Sequence, residues 1–199
     1  MLNLKKINKI LEYYKKVYTF KNIIIKIIFI IVGSLITILP SFLIREAVLL
    51  STTNTFNILG NFLVGQIEFN QGISFSGLSN NPELASGLQI FVFIAVILVF
   101  LNNKYIAADI GIIIIALAGL TNIIDREIPD VFNGVIYNNT VVDYLKFGFI
   151  PNSTIFNWQD VFIILGTIWV LIYIIIQLIF KKKESREEYA KENNVPKKR

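Results

Sequence analysis

Four long apolar runs restrict what this chain can fold into more than any other feature. They lie at about 23–44 (IIIKIIFIIVGSLITILPSFLI), 85–101 (ASGLQIFVFIAVILVFL), 105–124 (YIAADIGIIIIALAGLTNII) and 161–180 (VFIILGTIWVLIYIIIQLIF). At about 1.5 Å per residue, each helix covers most or all of a ~30 Å hydrocarbon core. With 54% hydrophobic residues and a mean hydropathy of +0.62, the chain of 199 residues reads as one compact integral membrane unit. The fold class expected is all-α, with four transmembrane helices. The loop 45–84 is long for a structureless connection. Its segments STTNTFNIL (51–59) and QIEFNQGISFS (66–76) alternate and carry β-formers, so a small sheet or hairpin set is expected there.

Cysteine and histidine are both absent. Disulfides, thiolate nucleophiles, His/Cys zinc sites and Ser-His or Cys-His catalysis are thereby excluded. Hydrolytic chemistry would have to come from carboxylates, hydroxyls or lysine.

Basic residues set the orientation. The arm 1–22 and the start of the first run, the tail 181–199 and the turn at Lys104 hold 16 of the 19 Lys and Arg residues. Both termini and the middle turn are expected in the cytoplasm, and the loops 45–84 and 125–160 outside. The arm alternates lysine with Ile, Leu, Tyr and Phe. It reads either as an amphipathic helix on the anionic inner leaflet or as an ordinary positive-inside flank. Topology already accounts for the charge, so no nucleic-acid partner is expected. The domain division is 1–22 arm, 23–180 membrane domain and 181–199 charged tail.

Three acidic stretches need a reason, because a carboxylate near lipid is costly. In TNIIDR (121–126), Asn122, Asp125 and Arg126 share a face at the C-terminal end of the third helix. The helix dipole disfavours an anion there, so Asp125 requires a partner such as Arg126 or Arg45. A helix-end ion pair is the structural alternative. In FNWQD (156–160), Asn157 and Asp160 match a capping box at the start of the fourth helix, a role compatible with catalysis. Asp143 sits among apolar residues in VVDY (141–144), a setting that raises a carboxyl pKa; a solvated loop acid is the structural alternative. If Asp143 and Asp160 approach, one holds a proton while the other is ionised, the state needed to activate water. The expected assignment is Asp160 as base and Asp143 as proton carrier. Asn70 and Gly72, in EFNQGISFS, either present an amide and open backbone to an extended peptide or form an ordinary turn.

In order, the stretches NQGISFS (70–76), TNIIDR (121–126), VVD (141–143) and FNWQD (156–160) resemble the motifs of the lipoprotein signal peptidase (signal peptidase II) family. The likeness covers roughly 23–180. It implies an aspartyl endopeptidase of the bacterial cytoplasmic membrane that cleaves prolipoprotein signal peptides before a diacylglyceryl-modified cysteine. It implies catalytic roles for Asp143 and Asp160. Positioning roles follow for Asn70, Gly72, Asn122, Arg126 and Asn157, with Asp125 supporting Arg126. It further implies an extracytoplasmic β-cradle at 45–84, an active site near the outer surface, membrane lipid as a partner, and no metal or other cofactor. The chain departs from the family pattern at Ser41, where an acid is usual, at Thr121 in place of Gly, and at Gln159 in place of Ala. Lys146 is expected to point to headgroups. Rival readings are a small proton-coupled carrier and a non-catalytic relative that binds lipidated peptides.

Overall fold

The computed structural model describes residues 4–73 and 77–192, without the side chains of 4, 5 and 183–192. Ser74, Phe75 and Ser76, which close the NQGISFS motif, lie outside the described residues.

A short helix α1 (Leu4–Val17) precedes α2 (Phe20–Leu49), which starts where the Thr19 side chain accepts from the Asn22 N–H. Helix α3 (Pro82–Asn102) opens with Asn81 capping the Leu84 N–H and with proline in its first turn, where a missing N–H costs nothing. Helices α4 (Ile106–Glu127) and α5 (Trp158–Glu192) complete the set. Four of these helices are long and apolar enough to cross a membrane. They coincide with the four apolar runs; the first, second and fourth extend beyond the run at both ends, and the third starts one residue later and ends three later. The tail beyond 180 begins as a continuation of α5.

Helix α4 is the central one. Half of its apolar stretch is buried inside the protein, against 6–17% for the other three. Small residues bring α5 close to it. A Cβ at Gly111 would lie 2.7 Å from the Gly166 carbonyl oxygen, so the two backbones touch where side chains are missing. Outward, these helices present Ile, Leu, Val and Phe, as a lipid-facing surface requires.

The described residues also form two sheets. Strands β1 (Thr55–Leu59) and β2 (Leu63–Asn70) form the hairpin expected within 45–84. A hairpin of β3 (Asp130–Phe132) and β4 (Val135–Tyr137), and strands β5 (Val141–Lys146) and β6 (Ile155–Phe156), come from the other long loop. The larger sheet has the order β1-β2-β5-β6, antiparallel throughout. A sheet confined to 45–84 would leave β2 as an open edge. Here β5 covers that edge, and so brings VVD beside EFN. Gly65 has room for no Cβ because the Phe56 ring of β1 lies on it. Val48, Val142 and Tyr144 form the small core joining this sheet to α2.

Candidate active site

Two strands and two helix ends converge on Asp143. Register pairs Glu68 of β2 with Asp143 and Asn70 with Val141. The Asn70 amide then reaches Asp143 Oδ2 at 3.0 Å. The other oxygen, Oδ1, accepts from Asn157 Nδ2 at 2.7 Å. Asp143 is 4% exposed. Burial, first, and the neighbouring Asp160 charge, second, push its carboxyl up to about 8. The bonds from Asn70 and Asn157 oppose that push, and Glu68 adds to it.

Asp160 is held by the capping box at the start of α5. Its backbone N–H donates to Asn157 Oδ1 at 3.0 Å, and its Oδ2 accepts from the Asn157 N–H at 3.1 Å. Both carboxylates therefore hydrogen-bond to the same residue, Asn157. The Asn157 amide also lies 3.4 Å from Asn122 Oδ1 on α4. Capping and proximity to Asp143 are the same geometry here.

Arg126, 2% exposed, grips backbone rather than a carboxylate. Its Nη1 donates to the carbonyls of Gln71 at 3.0 Å and Asn139 at 3.2 Å, and its Nη2 donates to the carbonyl of Gly72. Its Nε donates to Gln89 Oε1 at 2.8 Å. Gly72 is held from the other side by Asn70, whose Oδ1 accepts the Gly72 N–H at 2.8 Å. The segment after β2 is thus fixed at both ends of one peptide unit.

Asp125 makes its ion pair with Arg45 Nε at 3.3 Å. Of the two cations named from the sequence, the one on the first spanning helix is the direct partner. Lys146 donates to Gln66 on β2 at 3.0 Å. The departures are buried: Ser41 and Gln159 are 1% exposed and Thr121 is 0% exposed. Thr121 bonds back to the Leu117 carbonyl at 2.8 Å. Gln159 donates to Asp125 Oδ2 at 3.3 Å.

Sequence reasoning passed over Gln89, Asp130 and Thr140. Gln89 left a signal, a lone amide within an apolar run. Asp130 and Thr140 left little, because a polar residue in a loop is ordinary until the loop is seen to be buried.

The chain is similar to several known proteins. The family model described as signal peptidase (SPase) II matches residues 36–176. A lipoprotein signal peptidase of Malacoplasma penetrans is 40% identical over 177 residues, covering 86% of this chain and 74% of that protein. A lipoprotein signal peptidase of Clostridioides difficile is 33% identical over 138 residues, covering 65% of this chain and 80% of the relative. A bacterial membrane enzyme solved by the in meso method at 2.3 Å shares the fold, with a TM-score of 0.60 and 19% identity over 81% of this chain and 91% of the other.

Proposed function

The chain belongs to the signal peptidase II family, and from that premise we propose that Asp143 and Asp160 are the pair with which it hydrolyses its substrate. Its activity is the cleavage of signal peptides from prolipoproteins. One observation carries the assignment of residues: both carboxylates bond to Asn157 in a buried setting, and Asp143 is pushed up to about 8.

In this reading Asp143 holds the proton of the pair and Asp160 is the base. Asp160 takes a proton from water as the oxygen attacks the scissile carbonyl carbon. Asp143 gives its proton to the carbonyl oxygen, and collapse of the tetrahedral intermediate returns a proton to the leaving amine. No covalent intermediate forms. Asn70 and Asn157 aim Asp143, while Asn122 sits beside the cap that aims Asp160. Arg126 and Asn70 hold the buried Gly72 backbone between them, fixing the segment after β2. The cap fixes the direction of the Asp160 carboxyl at the start of α5.

The finer substrate reading is cleavage just before a diacylglyceryl-modified cysteine. An apolar cavity of about 380 Å³, lined by Leu43, Ile44, Ala47, Val48, Ser51 and Phe56, supports it. Val48 packs with Val142 and Tyr144, the neighbours of Asp143 in β5, so acyl chains there would lie against the sheet face opposite the Asp143 carboxyl. The lysine distribution supports cytoplasmic termini and a site near the outer surface of the bacterial membrane. In that frame the two sheets are an extracytoplasmic cradle over the scissile bond, excluding bulk water.

The decisive test is replacement of each aspartate by asparagine in protein reconstituted with a lipid-modified prolipoprotein. General acid–base catalysis predicts a rate loss of about 10²–10⁴-fold in either variant. Undiminished cleavage by one of them removes it from the pair.

A further inference from the structure

The β3–β4 hairpin supplies no reacting group to the chemistry above, yet polar groups at its two roots are fully buried. Asp130 opens β3 at 0% exposure, and Thr140 leads into β5 at 2%. One oxygen of Asp130 pairs with Arg45 Nη2 on α2, and the other accepts from Thr140 Oγ1 at 2.9 Å. Thr140 lies three residues before Asp143. The hairpin's inner face continues the clamp. Tyr137 stacks on Phe69 with ring centroids 3.7 Å apart, Phe132 packs 5.9 Å from the same ring, and Phe69 pairs in register with Val142. The turn is built for this, since Asn133 and Gly134 take the positive φ values of 49° and 77° that a two-residue hairpin needs.

Arg45 also reaches the other half of the pair. Its Nε faces Asp125, whose Oδ2 accepts from Gln159, the residue preceding Asp160. One buried guanidinium thus joins the strand that carries Asp143 to the helix start that carries Asp160.

We propose that Asp130, anchored by Arg45, and Thr140 are positioning residues that set where Asp143 presents its carboxyl to Asp160. The inference rests on the reading of Asp143 and Asp160 as the catalytic pair. Neither Asp130 nor Thr140 touches the reacting atoms. They act through the entry of β5. Asp143 is faced by Asp160 from α5, by Glu68 from β2 and by Arg126 from α4. A shift of β5 changes all three distances together, and with them the pH at which the pair loses its shared proton. A displacement of about 1 Å at such a centre costs up to about 10²-fold in rate.

The test compares wild type, Thr140→Val, Thr140→Ser, Asp130→Asn and Asp143→Asn, each full-length and reconstituted, by cleavage rate against pH. Thr140→Val keeps the side-chain shape and removes the hydroxyl, so it reports on the clamp even if Asp130→Asn fails to assemble. The expected result is a kcat lowered about tenfold with KM within about twofold, a moved alkaline limb of the profile, and recovery in Thr140→Ser. Thr140→Val with an unmoved profile and unchanged kcat overturns the inference, even if the variant is less stable. In that case an inactive Asp143→Asn leaves the catalytic reading standing. Wild-type cleavage by Asp143→Asn brings down both.

Discussion

The bundle buries charge at both ends, and the two ends treat it in opposite ways. At the end bearing α1, Lys26 of α2 donates to the carbonyls of Leu101 at 3.2 Å, Asn103 at 2.9 Å and Phe100, the carbonyls left open where α3 stops. Its partner Asp109, 3.5 Å away, stands in the first turn of α4 and also accepts from Asn103 at 2.7 Å. Cation at a helix C-terminus and anion at an N-terminus both follow the dipole. Tyr13 of α1 donates to the Asn102 carbonyl at 2.8 Å across the same turn. At the other end, Asp125 stands in the last turn of α4, against the dipole, and is balanced by Arg45. Among the described residues, Arg45 Nε, Asp125 Oδ1 and Gln159 Oε1 there have no hydrogen bond of good geometry, against Asp109 Oδ2 alone at the first end. Charge that follows the helix ends holds a fold together. Charge placed against them needs a network to hold it, and such a network positions neighbouring groups as well.

Function separates the two ends most sharply. Asp143→Asn should lower cleavage by about 10²–10⁴-fold, whereas Asp109→Asn, equally buried, should leave kcat close to wild type. A dead Asp109→Asn protein that still assembles would erase the distinction.

Stability is the next contrast. Removing one partner of a buried pair costs about 3–5 kcal/mol, so Lys26→Met and Arg45→Met should both lower the unfolding temperature in detergent. Only Arg45→Met should also depress the kcat of the molecules that remain folded.

A smaller effect is expected where the two ends communicate through packing. A Cβ at Gly111 would meet Gly166 O at 2.7 Å and Val170 Cγ2 at 2.8 Å, and backbone cannot step aside. Gly111→Ala should cost about 1–3 kcal/mol. It should spare the pH profile, because the crossing lies on the α1 side of the helices.

The most diagnostic signal is in pH. The Asp143 carboxyl is raised from the ordinary 3.8 to about 8, by burial first and Asp160 second. Between those values the folded protein keeps a proton that the unfolded chain releases, so stability falls as pH rises through the window. Cleavage should fall through the same upper limit, near pH 8. Asp143→Asn should make the stability slope shallower, measured by thermal unfolding across the range; an unchanged slope would place the titration elsewhere.

Much of the membrane part was legible in the sequence, since each apolar run is long enough to name its own helix. The capping box was also legible, because Asn157 and Asp160 are three residues apart and a helix start is a local event. The Asn133-Gly134 turn between Val131-Phe132 and Val135-Ile136 was a readable hairpin signal that went unread. So did Asp109, an acid inside the third apolar run. The pairing of β2 with β5 was not legible. Those strands are separated by two spanning helices, and short strands with mixed patterns do not declare their partners. The choice of Arg45 over Arg126 for Asp125 was equally hidden, because a position on a helix face does not say which neighbouring helix that face meets.

By itself, then, the sequence determined what is local: four greasy helices, their ends and caps, and the absence of every nucleophilic or metal-based chemistry that needs cysteine or histidine. The tertiary structure alone decided which acids share an amide, which cation answers which carboxylate, and which hairpin clamps the strand. Periodicity and capping act within a few residues along the chain. Charge balance and strand pairing act through space, between groups whose closeness no spacing in the sequence records.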